Sequence, residues 1–228
     1  MSFPFLQWVR SSQGGGRGSS SNFSKSDSYS KNDIEALKDY VENEGYTVNT
    51  NFRKGEELSE YDKWVSDSLD KAINKSKNVD GVFYRGVTVD SLVELNPAEW
   101  NYLRMKTVNP DFYKTLPNDD WYETEKYTGL RTKIDNIDKQ LIGKTFKEKG
   151  FMSTTKDFSE TSNYSSRRNK GVVLELHAKK KKGIDVEKVL TGSSYKSERE
   201  ILFGRNTEYK IKNIKQIDGK VVLVADIL

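Results

Sequence analysis

Apolar residues recur at i, i+3 and i+7 in Ile34, Leu37 and Val41, with Gly45 after them as a stop, which predicts a short amphipathic helix. From Glu56 to Lys75, Leu58, Tyr61, Val65, Leu69, Ala72 and Ile73 share one helical face and predict a second helix. The two make an expected helical lobe over residues 32–78. Strand signals then begin at Val79. Val82-Phe83-Tyr84-Arg85-Gly86-Val87 is β-branched and aromatic behind Asp80-Gly81. Phe151–Thr155, Val172–Ala178, Ile184–Val186, Glu200–Phe203, Glu208–Ile214 and Val221–Ile227 are further strand candidates, with Lys179–Lys182 read as a solvated turn. Residues 91–142 are rich in aromatics but carry few clear periods, so one or two helices and long loops are expected there. Helices first and strands later, without βαβ alternation, argue for an α+β fold with a β-rich segment at 79–228. No internal repeat is present.

Composition narrows the chemistry. The 228 residues include no cysteine and one histidine, His177. Disulfide scaffolds, thiolate metal sites and cysteine nucleophiles are excluded, and His-based triads or multi-histidine metal sites are not expected. His177 alternates with Glu175 opposite Leu174 and Leu176, which reads as an outward strand position and not as a catalytic base. No apolar run approaches the ~20 residues of a membrane helix. Residues 1–31 begin MSFPFLQWV, without the pattern of a secretory signal, and continue Ser/Gly-rich, which predicts a disordered tail ahead of one folded domain at 32–228. Its Arg10, Arg17, Lys25 and Lys31 against Asp27 account for +3 of the formal +4. The folded part is nearly neutral, so no general basic surface for nucleic acid is expected.

Three short segments carry candidate chemistry. In Phe83-Tyr84-Arg85-Gly86, an arginine inside an apolar strand needs an anionic partner, and its planar fork suits a phosphate or carboxylate. A surface arginine on an edge strand is the plain alternative. In Gly150-Phe151-Met152-Ser153-Thr154-Thr155, alternate hydroxyls share one strand face, where they can orient a carboxylate; threonine-rich strands are also common for structural reasons. In Ser193-Ser194-Tyr195-Lys196-Ser197-Glu198-Arg199-Glu200-Ile201-Leu202-Phe203, Glu198 and Glu200 are two apart at the entry to a strand. Read as extended chain, they point to one face, where like charges need nearby donors. A solvated charged turn is the alternative.

Taken in order, these segments resemble the arginine–serine–glutamate class of mono-ADP-ribosyltransferases, the group containing exoenzyme-type bacterial toxins and bacteriophage transferases. The resemblance runs from about Val79 to the C-terminus, and Ser197–Tyr209 (SEREILFGRNTEY) is its most specific part. The serine strand departs slightly, with Ser-Thr-Thr where Ser-Thr-Ser is common, and keeps the leading serine. The resemblance implies a helical lobe on two roughly perpendicular β-sheets with NAD in a cleft. It implies Glu200 as the catalytic carboxylate beside the ribose, Ser153 as the residue that holds it, and Arg85 with Gly86 at the NAD phosphates. Thr154, and Phe158, Arg167 and Arg168 of the loop after the serine strand, are its further NAD-contact candidates. Glu198, two before Glu200, goes in that class with transfer to arginine, and Tyr195 is similar to a loop aromatic that meets the protein substrate. NAD is the implied substrate, with no metal, a target protein presenting an arginine is the implied partner, and the enzyme is expected as a monomer in the cytoplasm of a target or host cell. The alternatives are an NAD glycohydrolase and a noncatalytic NAD-binding or virion-docking protein.

Overall fold

Helix α1 (Lys31–Asp39) opens on a reciprocal cap. The Ser30 side chain accepts from the Asp33 N–H at 3.2 Å, and the Asp33 carboxylate accepts from the Ser30 N–H at 2.7 Å, which satisfies donors that a helix start leaves orphaned. In this computed structural model, which describes residues 29–108, 136–161, 171–190 and 199–228, the helical path does not stop at Gly45. A π-helical turn, Tyr40–Glu44, leads directly into α2 (Gly45–Lys54). Gly45 has helical angles, and a Cβ there would lie 2.6 Å from the Tyr40 carbonyl oxygen and 3.3 Å from its ring. The glycine permits the close approach of the wide turn and does not terminate the helix.

Helix α3 (Glu60–Lys75) starts where Ser59 caps it, its Oγ accepting from the Asp62 N–H at 3.0 Å. Tyr61, read from sequence on the apolar face, is 49% exposed and donates its hydroxyl to Asp39. Then follow β1 (Asn78–Thr88), α4 (Pro97–Val108), a helical turn at 136–141, β2 (Thr145–Glu148), β3 (Met152–Thr155), β4 (Gly171–Asp185), a helical turn Val186–Val189, β5 (Glu200–Phe203), β6 (Thr207–Ile217) and β7 (Lys220–Ile227). The class is α+β with a leading helical lobe, as the periodicity predicts. Strand β2 was not expected, since four residues, Thr-Phe-Lys-Glu, hold one apolar side chain and no readable period. The four-lysine run is not a turn: β4 continues through it, with Lys180 at φ 52° and its N–H donating to Asp80 Oδ1 at 2.9 Å. One left-handed residue there produces a local irregularity without ending the strand. The candidate strand Ile184–Val186 is the end of β4, and Val186 already begins the helical turn.

The chain forms two compact units, with the first taking the described residues of Met1–Asn78, Glu148–Ser153 and Lys182–Asn206. Its core joins Leu37, Tyr40, Val48, Val65, Leu69 and Ile73 of the helices to Phe151, Ile184 and Leu202. The end of β4 pairs antiparallel with β5, Gly183 opposite Phe203 and Asp185 opposite Ile201. A Cβ on Gly183 would stand 3.2–3.3 Å from Ile201 and Phe203, so glycine lets these side chains lie over the strand.

The second unit takes the described residues of Val79–Lys147, Thr154–Lys181 and Thr207–Leu228. Here β4 pairs parallel with β7, from Val173 opposite Val222 to His177 opposite Asp226. β6 and β7 form a hairpin closed by Asp218-Gly219, both at positive φ (49° and 74°), the backbone that a two-residue primed turn demands. Strand β1 meets β3 at Tyr84 opposite Thr155. Phe146 of β2 stacks on Tyr209 of β6 with ring centroids 5.7 Å apart.

Candidate active site

In the first unit, Ser153 on β3 and Glu200 at the start of β5 are brought together. Ser153 Oγ donates to Glu200 Oε1 at 2.5 Å. Glu200 is 5% exposed, and the Ile201-Leu202-Phe203 run behind it is buried throughout, so the strand is anchored by packing and its first side chain is held at the strand end. A buried carboxylate is costly unless it accepts hydrogen bonds. A serine hydroxyl supplies such a bond without itself adding charge. The end of β5 is braced as well. Arg205, beyond Gly204, pairs with Asp70 of α3 at 2.5 Å and lies over the Phe52 ring at 4.9 Å. Burial raises the Asp70 carboxyl above its ordinary value, and Arg205 only partly offsets this.

The same-face reading of Glu198 and Glu200 changes at Arg199. That residue lies before β5 at φ 48°, in the left-handed region. Strand alternation is therefore described only from Glu200 onward. Glu198, Tyr195, Arg167 and Arg168 lie outside the described residues.

The second unit holds the other candidates. Arg85 and Gly86 lie on β1, half-buried, and Thr154 of β3 is buried. Phe158 begins a short 3₁₀ turn, Phe158–Thr161. Its ring packs edge-on to Tyr84, centroids 5.4 Å apart, and Lys220 Nζ stands 5.2 Å from its centre. These contacts place Phe158 beside the strand that carries Arg85.

His177 and Glu175 share one side of β4 as alternation predicts, but that side is not open at Glu175, which is 8% exposed. Its Oε1 lies 3.0 Å from His177 Nε2, and its Oε2 accepts from Lys215 Nζ at 2.8 Å. Burial opposes ionisation of Glu175, yet the hydrogen bonds from Lys215 and His177 outweigh it and hold the carboxyl below its ordinary 4.5. Asp33 behaves alike: burial opposes ionisation, and Lys75 and Ser30 hold its carboxyl below 3.8. A carboxyl depressed by folding stabilises the fold above its unfolded value, and that contribution is lost as pH falls through the folded value. The melting temperature is expected to drop on acidification from below about pH 5. Lys215→Met should flatten part of that slope and lower neutral-pH stability by about 1 kcal/mol, because the lysine is partly solvated. Thermal melts from neutral to acid pH check this; identical acid slopes in variant and parent would rule it out.

Sequence reasoning missed Asn49 of α2, which grips the backbone just ahead of Ser153. Its Oδ1 accepts from the Phe151 N–H at 2.7 Å, and its Nδ2 donates to the Phe151 carbonyl at 3.1 Å and to the Tyr40 hydroxyl at 2.7 Å. The available signal was the apolar period continuing past Gly45 to Val48 and Phe52, which puts Asn49 in a buried helix. Among the described residues no group of three His, Cys, Asp or Glu side chains is placed to hold a metal ion. No described helix is long and apolar enough to cross a membrane.

Residues 17–227 match the model of the ADP-ribosyltransferase exoenzyme family. No curated protein matches the chain. Among solved structures, the fold is similar to C3stau2 from S. aureus, determined with NAD, at 21% identity and TM-score 0.59 over 88% of both chains. It is also similar to Plx2a, an ADP-ribosyltransferase toxin from Paenibacillus larvae, at 21% identity and TM-score 0.56 over 87% of both chains. The enzymatic component C2-I of the C2 toxin from Clostridium botulinum matches at 20% identity and TM-score 0.57, over 87% of this chain and 43% of that one. With the family model spanning nearly the whole chain and a serine bonded to a buried glutamate in the described fold, this protein belongs to the ADP-ribosyltransferase exoenzyme family and is a mono-ADP-ribosyltransferase that uses NAD as substrate.

Proposed function

We propose that the acceptor of the ADP-ribose is an arginine of a target protein, with Glu200 as the catalytic carboxylate and Ser153 as the residue that holds it. The observation that carries this reading is the 2.5 Å bond between Ser153 and a 95%-buried Glu200, with Glu198 two residues ahead in the sequence. As the bond between nicotinamide and ribose breaks, nicotinamide leaves neutral with the bonding pair and positive charge grows on the sugar. A fixed carboxylate near the ribose stabilises that charge more in the transition state than in the ground state. A guanidinium nitrogen then attacks the anomeric carbon and must lose a proton. A second carboxylate, Glu198, can orient the guanidinium and take that proton, whereas an amide can only orient. Arg85, half-buried on β1, is assigned to the NAD pyrophosphate, which its planar fork suits. Tyr195 is assigned to the target protein, and Thr154, Phe158 and Arg167 to NAD. The enzyme acts as a monomer in the cytoplasm of the cell it modifies.

Radiolabelled NAD tests the acceptor. With agmatine, a free guanidine, nicotinamide release is expected to rise several-fold and the label to appear on agmatine, since a competent acceptor intercepts the oxocarbenium ion more readily than water does. Release that is unchanged by agmatine, with all label as free ADP-ribose, would identify water as the acceptor and an NAD glycohydrolase instead.

A further inference from the structure

The turn that delivers Ser153 is gripped from one side by two residues of α2, one helical turn apart. Asn49 is 8% exposed and uses both its donors and its acceptor: it bonds the Phe151 N–H and carbonyl and the Tyr40 hydroxyl. Arg53 forms a two-point pair with Glu148, Nε to Oε1 and Nη2 to Oε2, both at 3.0 Å, and Glu148 Oε1 also accepts from the Gly150 N–H at 3.1 Å. Residue 150 has to be glycine for this contact, since a Cβ would stand 2.4 Å from Asn49 Oδ1 and 3.2 Å from Asn49 Cα. The Phe151 side chain is fully buried and meets the Tyr40 ring edge-on at 5.5 Å. The backbone from 148 to 151 is therefore fixed by side chains of a helix that lies about a hundred residues away in sequence, and Ser153 follows two residues later.

Ordinary loop packing does not need this arrangement. A buried asparagine that satisfies both backbone groups of one residue acts as a substitute strand neighbour, and it sets that residue's position along the chain axis. We propose that Asn49, supported by Arg53, is a positioning residue of the transfer reaction: it sets the register of β3 so that Ser153 Oγ meets Glu200 Oε1. The inference rests on the assignment of Ser153 and Glu200 made above. Asn49 acts only through Ser153, so its loss should matter in proportion to what Ser153 contributes.

A double-mutant cycle on the full chain tests this, read by nicotinamide release from NAD and by thermal melting. Asn49→Ala is expected to lower kcat about 10- to 100-fold, the scale of an ångström-sized misplacement, with KM for NAD within about threefold. In a Ser153→Ala background, which keeps Glu200 and hence a measurable rate, adding Asn49→Ala should lower kcat by less than about twofold more. The loss of melting temperature should be the same in both backgrounds. A merely structural Asn49 would instead multiply its kcat loss undiminished in both, and that result overturns the proposal, as does a parental kcat in Asn49→Ala. Should Asn49→Ala fail to fold, Arg53→Lys keeps the charge but loses the fork, and it should show a several-fold kcat loss with the same non-additivity. Full additivity in that cycle would overturn the proposal too. Glu200→Gln is assayed alongside. A parental rate there means the Glu200 assignment has failed, whereas an inactive Glu200→Gln with unimpaired Asn49 and Arg53 variants means only the positioning inference has failed.

Discussion

Glu200→Gln should lower both ADP-ribose transfer and NAD hydrolysis by about three orders of magnitude, the scale at which a single preorganised electrostatic group acts on a developing charge. The substitution conserves volume and leaves an oxygen to accept from Ser153 Oγ, now 2.5 Å from Oε1, so what it removes is charge. The partner transition state is cationic, and the site is buried, where a fixed charge is screened far less than in water. The fold should survive, because Ile201, Leu202 and Phe203 keep β5 in the core. Nicotinamide release and label transfer, measured beside a thermal melt, separate lost chemistry from lost structure. A variant that keeps full transfer activity would sink the assignment of Glu200.

The second large effect is selective. Glu198→Gln is expected to lower transfer to arginine or agmatine about a hundredfold or more, within the range contributed by a positioned proton acceptor, while NAD hydrolysis stays within about threefold of the parent. Breaking the nicotinamide–ribose bond needs charge at the sugar, and that is Glu200's assigned task. Deprotonating a guanidinium needs a base, and an amide has none to offer. Comparing both rates in one preparation gives the result directly. Equal loss of the two would mean that Glu198 serves bond cleavage itself, and no loss of either would remove it from acceptor chemistry.

Local patterns carry the helices and most of the strands. The 3.6-residue period places Leu37, Val65, Leu69 and Ile73 in the core, and β5 spans Glu200–Phe203 as its apolar run predicts. Two of the readings failed at a backbone conformation. Gly45 read as a stop because glycine ends helices, but here it accommodates the Tyr40 carbonyl in a wide turn. The lysine run read as a turn because it is charged, yet one left-handed residue, Lys180, is absorbed inside β4. Arg199 is also left-handed, so the described strand alternation starts only at Glu200, and Glu198 lies outside the described residues.

The sequence by itself determined the class of fold, the absence of cysteine and multi-histidine chemistry, and the glutamate, serine and arginine segments that fit an ADP-ribosyltransferase. Each of these is written in local spacing or residue type. The tertiary structure showed which polar groups meet: the Ser153–Glu200 contact is one that the family resemblance implies, whereas the Asn49–Phe151 contact is one that no local pattern announces. Ser153 and Glu200 are 47 residues apart, and Asn49 and Phe151 are 102 apart. A period of apolar residues says which faces are buried, but not which donor finds which acceptor once they are. That is settled by strand register and by the need to satisfy every buried polar group, and both arise only when distant segments pack.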